Sequence, residues 1–113
     1  MPTVDDHFID KTKDIRKLYD RLVALAKKLG PVQQDAKKTS IHLNRGSALA
    51  GVETRKDYLL LNIKSNHAIK NPRIVKAEQV SEKRFHHKVR ISSPNDLDAE
   101  LKTWLEEAYI LSE

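Results

Sequence analysis

The chain predicts a single α+β domain over residues 1–113. It reads as a two-layer sandwich of about five antiparallel strands in one sheet, with an N-terminal and a C-terminal helix packed on one face. Three observations lead there. Apolar residues recur at three- and four-residue spacing near both ends of the chain and alternate at a spacing of two in between. The connections between the alternating stretches are too short for crossover helices, so those strands pair antiparallel. A sheet with one apolar face and two helices with apolar stripes bury most simply against each other. A length of 113 residues is that of one domain with one core, and neither repeat nor Gly/Ser linker divides it.

The first helix is predicted from Thr12 to Leu29, with Ile15, Leu18, Tyr19, Leu22, Leu25, Ala26 and Leu29 on one stripe. Thr12 suits its N-cap, and Gly30-Pro31 stop it. Val4 and Phe8, one helical turn apart, predict a short turn before it that folds back onto the core. Thr39 to Asn44 sets Ile41 and Leu43 against Ser40, His42 and Asn44, with Arg45-Gly46 as the turn. A second strand sets Ala48, Ala50 and Val52 against Leu49, Gly51 and Glu53, and Tyr58 to Lys64 is a third. After a polar loop from Ser65 to Pro72, Ile74–Val80 and Phe85–Ile91 read as a hairpin around Ser81 to Lys83; the parity of Ile74–Val80 and its place in the sheet stay open. Ser93, Pro94 and Asp96 mark the start of the last helix, with Leu97, Leu101, Trp104, Leu105 and Ala108 buried and Asp98, Glu100, Glu106 and Glu107 outward.

Parity then assigns the faces. Ile41, Leu43, Ala48, Ala50, Val52, Leu59, Leu61, Ile63, Phe85, Val89 and Ile91 should meet the helices. Ser40, His42, Asn44, Leu49, Tyr58, Leu60, Asn62, Lys64, His86, Lys88 and Arg90 should form an open, mixed face. Such a face suits an anion or a partner, and its Leu49, Tyr58 and Leu60 would suit a second copy, so the chain is expected as a monomer or weak homodimer.

Charge sharpens this. Lys and Arg outnumber Asp and Glu by seven to five over residues 1–30 and by thirteen to five over 31–92, and are outnumbered one to six over 93–113. The middle seeks anions. The absence of cysteine excludes a disulfide framework and thiolate chemistry. No apolar run approaches the roughly 18 residues of a membrane span or the roughly 7 of a secretory leader, so a cytoplasmic protein without membrane contact is expected.

The candidate chemistries are then weighed residue by residue. His86 and His87 point to opposite faces of a strand and cannot share an ion; His87 reads as a core imidazole with a satisfied ring nitrogen. His42 and His86 share the open face and would supply two ligands only if their strands were adjacent, so no metal or cofactor is assigned. Ser40 and His42 lie about 6.5 Å apart along a strand, without the orienting acid and oxyanion hole that nucleophilic catalysis needs. A carboxylate within hydrogen-bond reach of His42 and His86 would favour catalysis. No phosphate loop, nucleophile elbow or zinc-binding helix motif occurs, and the chain reads as non-enzymatic.

Lys37-Lys38-Thr39-Ser40-Ile41-His42-Leu43, Arg55-Lys56-Asp57-Tyr58-Leu59-Leu60-Leu61-Asn62, Gln79-Val80 and Arg84-Phe85-His86-His87 together resemble a small bacterial domain family, domain of unknown function 5655. Asp5-Asp6-His7-Phe8 and Tyr19-Asp20-Arg21-Leu22 are similar to it too, so the likeness covers nearly the whole chain. The family has no established activity or agreed catalytic residues. Its members stand alone or are appended to larger proteins, some with nuclease-like partners, which implies an accessory binding role. The element order also resembles the frataxin-like arrangement, which as a likeness of shape carries no function by itself.

The site expected from these observations comprises Lys38, His42, Lys56, Tyr58, Arg84, His86, Lys88 and Arg90, binding an anionic small molecule or an acidic protein segment. Arginine forks match phosphate or carboxylate, and histidines add charge as the pH falls. A nucleic-acid-binding accessory domain is the alternative, from Lys37-Lys38, Arg55-Lys56 and Lys83-Arg84, although aromatics are only 5% of the chain and Tyr58 alone would offer a stacking platform. A frataxin-like iron-binding protein is the further alternative, resting on Asp5, Asp6, Asp10 and Asp14, which Lys11, Lys13 and Arg16 dilute.

Overall fold

The computed structural model describes residues 2–112. A short 3₁₀ turn, Asp5–Phe8, precedes helix α1 (Lys13–Lys27). Six strands follow: β1 (Gln33–Ala36), β2 (Ile41–Arg45), β3 (Ser47–Thr54), β4 (Leu59–Ser65), β5 (Ile74–Ser81) and β6 (Arg84–Ile91). A second 3₁₀ turn, Pro94–Asp96, leads into α2 (Ala99–Ile110). The strands form one sheet in the order β1-β2-β3-β4-β6-β5, antiparallel at every pairing. Both helices feed one core with a single face of that sheet, which is the α+β sandwich expected.

The first helix forms where its periodicity places it. The Thr12 hydroxyl accepts the Ile15 N–H at 3.3 Å, satisfying one of the first-turn donors. Ile15, Leu18, Tyr19, Leu22, Val23 and Ala26 are buried. Gly30 ends the connection with φ +150°, and a Cβ there would collide with the Tyr109 hydroxyl, which donates to the Pro31 carbonyl at 3.3 Å. Phe8 packs on Tyr19 with ring centroids 5.1 Å apart, so the N-terminal turn does fold back onto the core.

Several features differ from the sequence expectation or settle what it left open. The sheet has six strands rather than five, because Gln33–Ala36 pairs with β2 from Gln33 opposite Asn44 to Ala36 opposite Ile41. Its sequence Gln-Gln-Asp-Ala carries no alternation, and hydrogen bonding to β2 makes it a strand. The last helix begins later: Ser93 and Asp96 close a capping box around the short turn, and α2 starts beyond it, capped by Asp98, whose carboxylate accepts the Leu101 N–H at 2.9 Å.

Leu49 is the third difference. The register of β2 on β3 shifts between Leu43, opposite Ala50, and Asn44, opposite Ala48. Leu49 is thus the extra residue of a β-bulge, which breaks strict alternation. Leu49 and Ala50 are both buried while Ala48 is exposed, reversing the faces predicted for Leu49 and Ala48. Fourth, Ile74–Val80, whose place was open, lies at the sheet edge beside β6 and is exposed along almost its whole length.

The core is built from Ile41 and Leu43, Val52, Leu59, Leu61 and Ile63, and Val89 and Ile91 under the apolar stripes of α1 and α2, with Leu101, Trp104, Leu105 and Ala108 from the latter. Phe85, expected there, is only half-buried.

Candidate functional site: the open face of the sheet

One row of residues crosses all six strands on the uncovered face. Asp35 stands opposite His42, His42 opposite Gly51, Gly51 opposite Asn62, Asn62 opposite Lys88 and Lys88 opposite Lys76. Gly51 leaves the middle of the row without a side chain. A cavity of about 320 Å³ lies there, lined by residues that include Thr39, Ser40, His42, Gly51, Glu53, Asn62, Lys64 and His86. A Cβ on Gly51 would come no closer than 3.7 Å to His42 and 3.9 Å to Asn62, which is ordinary contact. The glycine therefore holds depth open without being required by the backbone.

Glu53 organises the cations around this floor. Its carboxylate accepts from Asn62 Nδ2 at 3.2 Å, from Lys88 Nζ at 3.3 Å and from Arg55 Nη2 at 3.3 Å. Burial pushes its carboxyl up, but the Asn62 and Lys88 hydrogen bonds and the charges of Lys88 and Arg55 outweigh that, holding it below the usual carboxylate range. Glu53 is thereby occupied, and its hydrogen bonds go to Arg55, Asn62 and Lys88 rather than to an imidazole.

Lys64 stands opposite His86, and its ammonium donates to Ser47 Oγ at 3.2 Å. Burial, then the nearby Arg84 charge, pulls the Lys64 pKa down from its ordinary value. No carboxylate partners Lys64 among the described residues. A smaller concavity of about 200 Å³ adjoins the first, sharing Asn62 and His86 and adding Lys76, Glu78, His87 and Lys88.

The residues expected to form the site are only partly brought together. His42 and His86 line the central cavity, but β3 and β4 separate their strands. Three strand spacings, about 14 Å, lie between their backbones, so the two imidazoles cannot share one ion. Arg84, His86, Lys88 and Arg90 all follow the open parity of β6. Lys88 is tied to Glu53, and the Arg90 guanidinium lies over the Tyr58 ring at 4.2 Å, which covers a face of the ring expected to serve base stacking. Lys38 is exposed in the β1–β2 turn.

Lys56 does not join them. It lines a separate cleft of about 630 Å³ with Thr12, Lys17 and Arg21 of the α1 segment, Asp57, and the Ser92 to Pro94 segment. Glu53, Asn62 and Lys64 were missed as site residues, although the alternation that set Glu53 with Gly51 and Asn62 with Lys64 was the signal that would have found them.

Elsewhere, three of the four acidic N-terminal residues are engaged one by one. Asp5 pairs with Arg16 at 2.8 Å, Asp6 accepts the Thr3 N–H at 2.8 Å and Asp10 pairs with Lys11 at 3.3 Å. His87 is buried, and its Nε2 accepts the Ile69 N–H at 3.0 Å, which fixes the 66–70 loop on β6. Its Nδ1 has no partner among the described residues. Burial, then the charges of His67 and His86, holds the His87 pKa below the ordinary histidine value.

Fold and site together define a small two-layer α+β domain with an uncovered, cation-rich sheet face and a side-chain-free floor at its centre. The family described as domain of unknown function 5655 matches residues 4–112, and the chain belongs to that family. No curated protein and no solved structure matches it. No helix is long and apolar enough to cross a membrane among the described residues.

Proposed function

We propose that this domain is a non-catalytic binding module whose ligand is a compact anionic small molecule, held over Gly51 on the open sheet face. The observation that carries this reading is the cavity of about 320 Å³ around a glycine floor, rimmed by His42, Lys64 and His86, with the adjacent carboxylate already neutralised by Arg55 and Lys88. Lys64 has no counter-charge among the described residues. Concavity favours a small anion over a long acidic segment, and the Arg90 guanidinium over Tyr58 covers a ring face that base stacking would need. Asp5, Asp6 and Asp10 are each engaged locally, and no group of three or more His, Asp or Glu side chains placed to hold a metal ion occurs among the described residues, so nothing favours the iron reading.

The test is a titration of the ¹⁵N-labelled chain with inorganic phosphate, a panel of sugar phosphates and nucleotides, an acidic peptide and oligonucleotides at several salt concentrations. The expected result is salt-sensitive shifts centred on Gly51, Asn62 and Lys64 with one of the phosphorylated small molecules. Gly51→Leu should abolish them by filling the floor, and Glu53→Gln should strengthen them a few-fold by removing a negative charge. Binding that survives Gly51→Leu, or that appears only with oligonucleotides and with a steep salt slope, would overturn the proposal.

A further inference from the structure

The edge strand β5 is unusual in leaving both faces and its outer edge uncovered. It pairs only with β6, and every residue from Val75 to Ser81 is exposed, including Val75 at 54% and Val80 at 46%. Register shifts near each end, between Ile74 and Lys76 and between Gln79 and Ser81, leave Lys76 to Gln79 as its regular stretch. Within that stretch Lys76 stands opposite Lys88, and Glu78 stands opposite His86. Neither Lys76 nor Glu78 has an ion-pair partner among the described residues.

We propose that the free edge of β5 pairs antiparallel with β5 of a second copy of this chain, about a two-fold axis through Ala77. Opposed residues in an antiparallel pair share a face. A two-fold self-pairing that keeps the sheet continuous must therefore set one residue against its own copy. Centring on Lys76 or on Glu78 sets like charges directly opposite each other. Centring on Ala77 sets Lys76 against Glu78 of the second copy, twice, and sets the small Ala77 against itself. Centring on Gln79 sets Glu78 against Val80 and runs into the register shift, so within the regular stretch only Ala77 brings opposite charges face to face. A lysine on an edge ordinarily repels arbitrary strands; the glutamate two places on makes its own copy the exception.

The short regular stretch makes this a weak, concentration-dependent dimer. The axis stands perpendicular to the sheet, so the two sheets continue into one with both open faces on the same side. Ligand binding plays no part in the argument.

The chain contains no cysteine, so single cysteines report the register directly. Opposed Cα atoms in such a pair lie about 4.5–5.5 Å apart, within disulfide range. Ala77→Cys should cross-link to a dimer under mild oxidation, whereas Gln79→Cys, which faces Val75 of the other copy, should not cross-link to itself. By sedimentation equilibrium, Lys76→Glu and Glu78→Lys should each weaken association about tenfold or more by replacing both attractive pairs with repulsive ones. The double exchange K76E/E78K should restore it, and the circular dichroism of each single variant should match the parent, which separates lost pairing from lost folding. Cross-linking of Ala77→Cys no greater than that of Gln79→Cys, or a monomer at all concentrations, would overturn the proposal. So would a dimer indifferent to both charge reversals, which would move the interface elsewhere, such as to Tyr58 and Leu60.

Discussion

Leu49 distinguishes strict strand alternation from the bulge that the structure contains. It has 0% exposure, whereas alternation places it on the open face and Ala48 in the core. Leu49→Ala removes three carbons, each worth about 0.8 kcal/mol of burial, or about 2.4 kcal/mol. The cavity left behind raises this to about 3 kcal/mol, near the low end for such changes because a bulged backbone can partly relax. Unfolding entropy of about 2.1 cal/mol/K per residue gives about 0.24 kcal/mol/K for a chain of 113 residues. Leu49→Ala should therefore lower Tm by about 12 °C. Ala48→Asp, on an exposed position, should change stability by no more than about 0.5 kcal/mol. Scanning calorimetry together with urea unfolding measures both. A Leu49→Ala variant within about 0.5 kcal/mol of the parent, or an Ala48→Asp variant that fails to fold, would refute the bulge and return the faces to strict alternation.

His87 is held neutral in the fold, its pKa lowered first by burial and then by His67 and His86. The unfolded chain thus binds the proton more readily, and the stability this group contributes is complete above the ordinary histidine value of about 6.5 and falls as the pH drops below it. Tm measured from pH 7.5 to 5.5 should decline, and His87→Gln should flatten that decline; an unchanged slope would show that His87 is not its source. Arg73 donates to the Asp96 carbonyl at 2.7 Å and to Glu100 at 2.9 Å, and lies over Trp104 at 5.0 Å. Arg73→Ala should cost about 2 kcal/mol in urea unfolding, and Arg73→Lys should recover only part of it because the planar fork is lost; full recovery would reduce its role to charge alone. The Leu101 N–H, then Arg73, holds the Asp98 carboxyl below its usual range. Asp98→Ala should cost about 1 kcal/mol by calorimetry while Asp98→Asn, which still caps, costs less; equal losses would remove the cap from the account.

Periodicity by itself determined α1 with its Thr12 cap, the strands that alternate strictly, the final hairpin and the sharing of one face by both helices, because each follows from which side chains must leave water. It also marked the open face, since His42, Asn62, His86 and Lys88 keep their parity whatever their neighbours do. Only the tertiary structure decided the rest. Gln33–Ala36 is a strand because β2 offers hydrogen bonds to it, and its own residues carry no preference that shows this. Leu49 joins the core beside Ala50 because the register of β3 on β2 shifts by one residue there, a bulge that forms only when the two strands pair. Lys56 left the site because the β3–β4 turn points toward α1. Which cations stay free is likewise a matter of partners distant in sequence: Glu53 reaches Lys88 across 35 residues, and only the assembled sheet makes that pair and leaves Lys64 beside an open floor.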